Sequence, residues 1–219
     1  MHTASPRLFV FDLDGTLVDS RRDIAEAANE LLVSYGAAAI AEEDIGRMVG
    51  DGAATLVIRA LKAAGIERPP DALERFLAIY DERLLNHTKP YDGVPGVLDA
   101  LGRNAALAVL TNKPIAATRR ILDGLDLSRY FPANAVIGGD GPFPRKPDPS
   151  ALLHLAAQAI ASPLDTIMVG DSAIDWRTAR AAGTRVCLAG YGFGFGSLPI
   201  HELAPDERVI STFSELLGL

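Results

Sequence analysis

Cysteine is nearly absent from this chain: Cys187 is the only one in 219 residues. A single thiol leaves no partner for a disulfide. Its setting, Arg185-Val186-Cys187-Leu188, is an apolar strand-like run with no flanking base. It therefore reads as a buried, reduced thiol rather than a nucleophile, and it suits a reducing cytoplasm. Long apolar runs are missing too. Nothing approaches the roughly 18 to 20 residues that a membrane span requires, so no membrane association is expected. The N-terminus, Met1-His2-Thr3-Ala4-Ser5-Pro6-Arg7, has no apolar core of an export signal. There is no basic block, and the net charge is −7, from 21 Lys and Arg against 28 Asp and Glu. That balance disfavours nucleic acid as a partner. An anionic ligand would need a local positive centre, either a metal ion or one or two placed Lys or Arg. The four histidines, His2, His87, His154 and His201, fall at no ligand spacing, which argues against zinc.

What is present is ordinary in amount and specific in pattern. Hydrophobic residues make up 48% and charged residues 22%, enough to bury a sizeable core without a disulfide or structural metal. Short apolar runs at 8–11, 107–110, 136–137, 166–169, 186–188 and 209–210 end in polar or Gly residues. Helix-like stretches at 114–125, 149–160 and 173–182 lie between the later ones. This alternation predicts an α/β fold, a Rossmann-like parallel sheet with helices on both faces. In such sheets the site lies outside the carboxyl ends of the strands.

Residues 20–85 break the alternation. Ile24, Ala27, Ala28, Leu31, Leu32 and Tyr35 recur at helical spacing up to Gly36. Leu73, Phe76, Leu77, Tyr80 and Leu84 make a second such face after Pro69-Pro70, and Leu56, Ala60 and Leu61 a third before Gly65. The expected organisation is a core domain from 1–18 and 88–219 with an inserted all-helical cap domain at 19–87. Two connections, near Asp19 and Tyr91, would let the cap act as a hinged lid; the alternative is a fixed layer of one domain.

Four polar clusters close or follow the apolar runs: Asp12-Leu13-Asp14-Gly15-Thr16, Thr111-Asn112-Lys113-Pro114, Arg145-Lys146-Pro147-Asp148-Pro149, and Gly170-Asp171-Ser172-Ala173-Ile174-Asp175. Each alone has a plain structural reading: a turn, a helix start, a solvated loop charge or an N-cap. Together they predict convergence. Several carboxylates brought together repel unless a divalent cation sits among them, and hard oxygens without His or Cys indicate Mg²⁺. One carboxylate of the Asp-x-Asp pair could attack an electrophile while the other moves a proton, which is workable chemistry for phosphoryl transfer. Lys146 and the Thr111 hydroxyl would add electrostatic stabilisation. Asp148-Pro149 reads as N-cap and N1 of the following helix, without a catalytic part.

With these motifs in place, the sequence resembles the haloacid dehalogenase-like hydrolase superfamily, and within it the phosphoglycolate phosphatase branch with a small helical cap. Asp-Leu-Asp-Gly-Thr resembles the family's first motif, Thr111 the second, Lys146 the third and Gly170 to Asp175 the fourth. The resemblance implies that Asp12 is the nucleophile, forming an aspartyl-phosphate, and that Asp14 is the general acid and then the base for the hydrolytic water. It implies Mg²⁺ held by the Asp12 carboxylate, the Asp14 backbone carbonyl and Asp171, with Asp175 in or beside the metal shell, and a phosphate held by Thr111, Asn112 and Lys146. An Asp two residues after the nucleophile fits a phosphatase or phosphomutase, which must protonate a departing alkoxide.

The substrate expected is a small phosphorylated metabolite, with 2-phosphoglycolate the leading reading. A sugar-phosphate phosphatase or a β-phosphoglucomutase-like mutase is the alternative, and a receiver-like phospho-acceptor module a more distant one. Arg47, Arg59, Asp51 and the Gly50 and Gly52 amides are the cap candidates, the arginines and amides for a substrate carboxylate. Gly190–Gly196 does not fit a dinucleotide loop and reads as a flexible rim. Trp176 is bulkier than the branch's pattern, and the 190–194 stretch departs from it. A cytoplasmic monomer or homodimer is expected.

Overall fold

The computed structural model describes residues 7–219, so the export-signal reading at 1–6, and the start of the expected core domain, lie outside it. In chain order the elements are β1 (Leu8–Phe11), β2 (Val18–Asp19), α1 (Arg21–Ser34), α2 (Glu42–Gly46), α3 (Ala53–Ala63), α4 (Ala72–Asp81), β3 (Lys89–Pro90), α5 (Val94–Leu101), β4 (Ala106–Leu110), α6 (Ile115–Gly124), β5 (Val136–Ile137), α7 (Ser150–Gln158), β6 (Thr166–Gly170), α8 (Ala173–Ala182), β7 (Arg185–Ala189) and β8 (Arg208–Ile210). Short 3₁₀ turns fill several connections.

Six strands form one parallel sheet in the order β5-β4-β1-β6-β7-β8. The chain builds outward from β1 in one direction through β4 and β5, then in the other through β6, β7 and β8. The order therefore reverses at β1, and a crevice opens beyond its carboxyl end. That is where Asp12 stands.

Both faces of the sheet are covered, and strand residues alternate between them. Phe9, Phe11, Val109, Ile167 and Cys187 belong to one buried cluster, with Ile121 and Leu122 of α6 and Phe213. Leu8, Val10, Ala108, Met168 and Leu188 belong to the other, with Leu152 and Leu155 of α7 and Ala179 of α8. A fully buried Leu or Phe contributes roughly 1.5 to 3 kcal/mol, so these two layers carry the fold. Cys187 is buried in the first layer, and burial pushes its thiol up to about 12. It is not a nucleophile.

Helices α1 to α4 lie between β2 and β3, and their apolar faces join the first cluster through Ile24, Leu31, Leu56 and Phe76. Strands β2 and β3 pair antiparallel, Val18 with Pro90 and Asp19 with Lys89, so the outgoing and returning connections are zipped side by side. This pair and the five-residue α2 carry no periodic signal long enough to read in sequence. Asp148 and Pro149 sit one residue outside their expected places: the helix begins at Ser150, Pro149 is the N-cap, and Asp148 Oδ1 accepts from the Ser150 N–H at 2.9 Å. No helix among the described residues is long and apolar enough to cross a membrane.

A buried carboxylate fastens the returning connection. Asp23, in the first turn of α1, is fully buried and accepts from the His87 N–H at 3.0 Å, the Thr88 N–H at 2.8 Å and the Thr88 hydroxyl at 2.7 Å. Hydrogen bonds to a buried charge are worth more than neutral ones, and orphaning their donors carries its own cost. Asp23→Ala is expected to lower unfolding free energy by about 2 to 4 kcal/mol, read from the denaturant midpoint at unchanged m-value. A loss below about 0.5 kcal/mol, the size of a neutral surface change, would contradict the clamp.

Candidate active site

The Asp-x-Asp pair is built by the way β1 ends. The Asp12 N–H donates to the Val169 carbonyl at 2.9 Å, which continues the β1–β6 register one residue past the strand. The chain then folds over on itself: the N–H groups of Thr16, Leu17 and Val18 all reach the Leu13 carbonyl. Gly15 makes this turn at φ +83°, in the left-handed region that favours glycine. A Cβ there would also overlap the Asp171 carboxylate. The turn sends the two acids to different partners.

Asp12 and Asp175 share one cation. The Lys146 ammonium is 2.9 Å from Asp12 Oδ1 and 2.6 Å from Asp175 Oδ1, with all three side chains buried. Asp12 Oδ1 also accepts from the Leu13 N–H at 2.8 Å. Asp175 Oδ2 accepts from the Ser172 N–H at 3.1 Å and the Ser172 hydroxyl at 2.7 Å, so the capping box of α8 fixes its rotamer. Asp171 joins them: oxygens of Asp12, Asp171 and Asp175 lie within 4.8 Å of one another.

The electrostatics are those of a charge deficit. Burial, then the Asp175 and Asp12 carboxylates, pushes Asp171 well above the ordinary carboxylate range. Burial raises Asp12 to about 6 against the pull of Lys146, with Asp175 and Asp14 adding to the rise. Lys146 is held up to about 12; burial opposes its charge, but Asp12 and Asp175 outweigh it. One ammonium does not balance three buried carboxylates, and a divalent cation held by hard oxygens would. These residues fit such an ion.

The glycine-rich 190–196 segment is not a loose rim at this point. The Gly194 N–H donates to Asp171 Oδ2 at 2.7 Å, and a Cβ at Gly192 would overlap Asp171. The glycines let backbone close over the carboxylate. Trp176 lies elsewhere: its Nε1 donates to Glu207 at 3.0 Å and the Arg180 guanidinium stacks 4.2 Å above its ring. It does not line the cavity, so its bulk does not shape the site.

Thr111 and Asn112 follow β4 and differ in use. Thr111 Oγ1 accepts from the Lys113 N–H at 3.2 Å. The Asn112 side chain is committed to protein partners: Oδ1 accepts from the Lys146 N–H at 2.9 Å, and Nδ2 donates to the Lys146 and Gly50 carbonyls, each at 3.0 Å. Its side chain pins the Lys146 loop and the Gly50 turn to β4 rather than offering free donors to a phosphate.

Lys113 was not singled out by the sequence reading, yet it is central. Its Nζ lies 2.9 and 3.0 Å from the two Asp14 oxygens and 2.6 Å from the Tyr80 hydroxyl, while Ser20 Oγ donates to Asp14 Oδ1 at 2.5 Å. Burial works against the ammonium, but Asp14 and Tyr80 outweigh it and raise its pKa. Burial likewise raises the Tyr80 phenol to about 12. The only sequence signal was adjacency, since Lys113 follows Thr111-Asn112 directly; Tyr80 looked like one more apolar position of α4.

Above these groups lies a cavity of about 400 Å³. Asp12, Asp14, Thr111, Lys113 and Asp171 line it on the sheet side, and Val49, Leu56, Phe76 and Tyr80 on the helical side. Gly50 and Gly52 also line it, whereas Lys146 and Asp175 do not. The expected cap cations do not reach it. Arg47 is exposed and pairs with Asp44 at 2.5 Å. Arg59 donates to the Met48 carbonyl at 2.9 Å and pairs with Asp51 at 2.6 Å, so Asp51 is also turned to the surface loop. Each arginine has a nearer acidic or carbonyl partner within the helical segment.

Comparison with known proteins places this geometry among relatives. The haloacid dehalogenase-like hydrolase family matches residues 9–189. Phosphoglycolate phosphatase 1 of Pseudomonas aeruginosa is 41% identical, over 98% of this chain and 80% of its own length. The phosphoglycolate phosphatase of Rhodospirillum rubrum is 41% identical, over 86% and 81%. Among solved structures, a predicted phosphoglycolate phosphatase from Haemophilus somnus 129pt superposes with a TM-score of 0.87 at 30% identity, covering 97% of this chain and 96% of its own.

The raised Asp12 sets a pH dependence. A carboxyl with a raised folded-state pKa adds stability that is complete below the unfolded value of 3.8 and is lost as pH rises through about 6. A cation bound at Asp12 competes with that proton. The thermal stabilisation produced by a fixed Mg²⁺ concentration should therefore grow between pH 5 and pH 7. A stabilisation that is flat or falls over that range would contradict the assignment.

Proposed function

Since this chain belongs to the haloacid dehalogenase-like hydrolase family, we propose that it is a Mg²⁺-dependent phosphatase that hydrolyses a small phosphomonoester through an aspartyl-phosphate, with 2-phosphoglycolate as substrate. The observation that carries the reading is the buried Lys146 bridge between Asp12 and Asp175, with Asp171 converging on the same point at the switch in strand order. The relatives named phosphoglycolate phosphatase support the choice of substrate.

Each residue then has a part. Asp12, Asp171 and Asp175, with the Asp14 carbonyl, would hold Mg²⁺, which when bound supplies positive charge to the phosphoryl oxygens. Lys146 keeps the Asp12 carboxylate ionised and oriented, and Thr111 offers its hydroxyl to the phosphoryl group. Asp12 forms a bond to phosphorus as the ester P–O bond breaks, and Asp14 gives its proton to the departing alkoxide oxygen. Asp14 next takes a proton from water; the water oxygen bonds to phosphorus, the Asp12–phosphorus bond breaks, and phosphate leaves. Ser20 and Lys113 hold the Asp14 side chain where it serves both steps. The apolar side chains of the wall above lower the local dielectric in which the fixed charges act.

Two substitutions test the division of labour. Asp12→Asn should lower kcat by at least about three orders of magnitude, measured as phosphate release with Mg²⁺ present. Asp14→Asn should slow turnover by about 10² to 10⁴ while Mg²⁺ still stabilises the protein against heat. Retained turnover in the first, or equal loss of turnover and Mg²⁺ binding in the second, would contradict the reading.

A further inference from the structure

We infer that Lys113, assisted by the Tyr80 hydroxyl, is the specificity-determining residue that binds a carboxylate on the leaving group of the substrate. The inference rests on the phosphatase reading above and adds to it the residue that selects an anionic leaving group over a neutral one.

Position comes first. Lys113 holds both oxygens of Asp14, and Asp14 is the group placed to protonate the leaving oxygen. Whatever is attached to that oxygen therefore lies beside the Lys113 ammonium. Elimination comes second. Among the described residues lining the cavity, Lys113 is the one basic side chain. Arg47 and Arg59 are turned away, and Lys146 lies beneath the floor against Asp12 and Asp175. On the helical wall the side chains of Val49, Leu56, Phe76 and Leu77 cannot solvate a charge, Asp81 would repel a carboxylate, and Gly50 and Gly52 bring backbone groups but no cation. Arg145 packs against Gly52 but is not among the lining residues, and its Nε is held by the Gly139 carbonyl at 2.6 Å, which leaves Lys113 as the lining cation for an entering carboxylate.

The chemistry comes third. The Lys113 side chain is 5% exposed, so an ion pair formed with it is screened little by solvent. Two of its contacts go to Asp14 and one to the Tyr80 oxygen. These three contacts use all three ammonium donors, so Lys113 bridges a second carboxylate by giving up one of its two Asp14 contacts, and the Tyr80 O–H, which accepts from Lys113, keeps its own proton to donate. Tyr80 belongs to α4 of the helical segment and Lys113 follows β4 of the sheet, so a carboxylate seated against both groups touches both parts of the molecule at once. A site built around a buried charge also rejects the neutral analogue more strongly than an apolar wall rejects an extra methylene, because its polar groups are then left unpaired.

The test is the ratio of kcat/KM for 2-phosphoglycolate to that for its neutral carboxamide, with Mg²⁺ present. The wild-type ratio should be about 100. Lys113→Met should slow both esters through the loss of its grip on Asp14 and, beyond that shared loss, raise KM for the acid alone, bringing the ratio within about threefold of unity; Lys113→Arg should restore part of the ratio. Tyr80→Phe, which removes only a hydroxyl, should lower the ratio at least about threefold and decides the matter if Lys113→Met does not fold. A purely structural role through Asp14 would lower both substrates together and leave the ratio unchanged; that result overturns the inference, as does a wild type that does not distinguish the two esters. Turnover of aryl phosphates but of neither two-carbon ester would instead refute 2-phosphoglycolate as substrate. In that case the ratio of 4-carboxyphenyl phosphate to phenyl phosphate decides Lys113 by the same criterion.

Discussion

The Lys146 ammonium sits between Asp12 and Asp175, 2.9 and 2.6 Å from their oxygens, with almost no solvent contact. Without it, three buried carboxylates would face one another with no positive charge in the protein to meet them, and an unpaired buried charge costs several kcal/mol. Its attraction is what lets acids crowd at the carboxyl edge of β1. Its limit is equally informative. The ammonium satisfies Asp12 and Asp175 but not Asp171, whose carboxyl burial and its neighbours push well above the ordinary range. The residual charge and the hard oxygens around it suit a metal cation.

The remaining architecture serves to hold that ammonium still. The Asn112 side chain clasps the Lys146 backbone from both sides and extends to the Gly50 carbonyl in the helical segment. The α8 capping box orients Asp175, and the Gly194 amide orients Asp171. A parallel arrangement holds the second acid: Lys113 and Ser20 grip Asp14, and Tyr80 grips Lys113 from α4. The two acids of one tripeptide are thus served by two separate lysines. That separation gives neighbouring carboxylates different electrostatic surroundings.

Much of this was legible in the chain. Apolar runs ending in FDLD, LTN and VGD fixed the strands and their edge, because an acid that closes a buried strand needs a compensating charge. Asp12, Asp171, Asp175 and Lys146 meet for that reason. What was not legible depends on contacts across long sequence separations. Tyr80 and Lys113 are 33 residues apart, and Tyr80 fits a helix stripe as well as any core residue. Asn112 looked like a ligand donor because its side-chain capacity is filled only once the 146 loop folds back, 34 residues on. Arg47 and Arg59 turn to Asp44, Asp51 and the Met48 carbonyl because exposed arginines settle on the nearest acid or carbonyl, which sequence spacing alone does not reveal. The 190–196 glycines looked like freedom and prove to be close approach.

The central claim is that Asp12 becomes phosphorylated during turnover. The most direct measurement is acid quenching of the wild-type enzyme in the first turnover with excess 2-phosphoglycolate and Mg²⁺, followed by proteolysis and peptide mass analysis. The account predicts one phosphoryl group on the peptide containing Asp12, absent when Mg²⁺ is withheld. A phosphoryl group on a different residue, or a full burst of glycolate with no phosphorylated peptide, would contradict it.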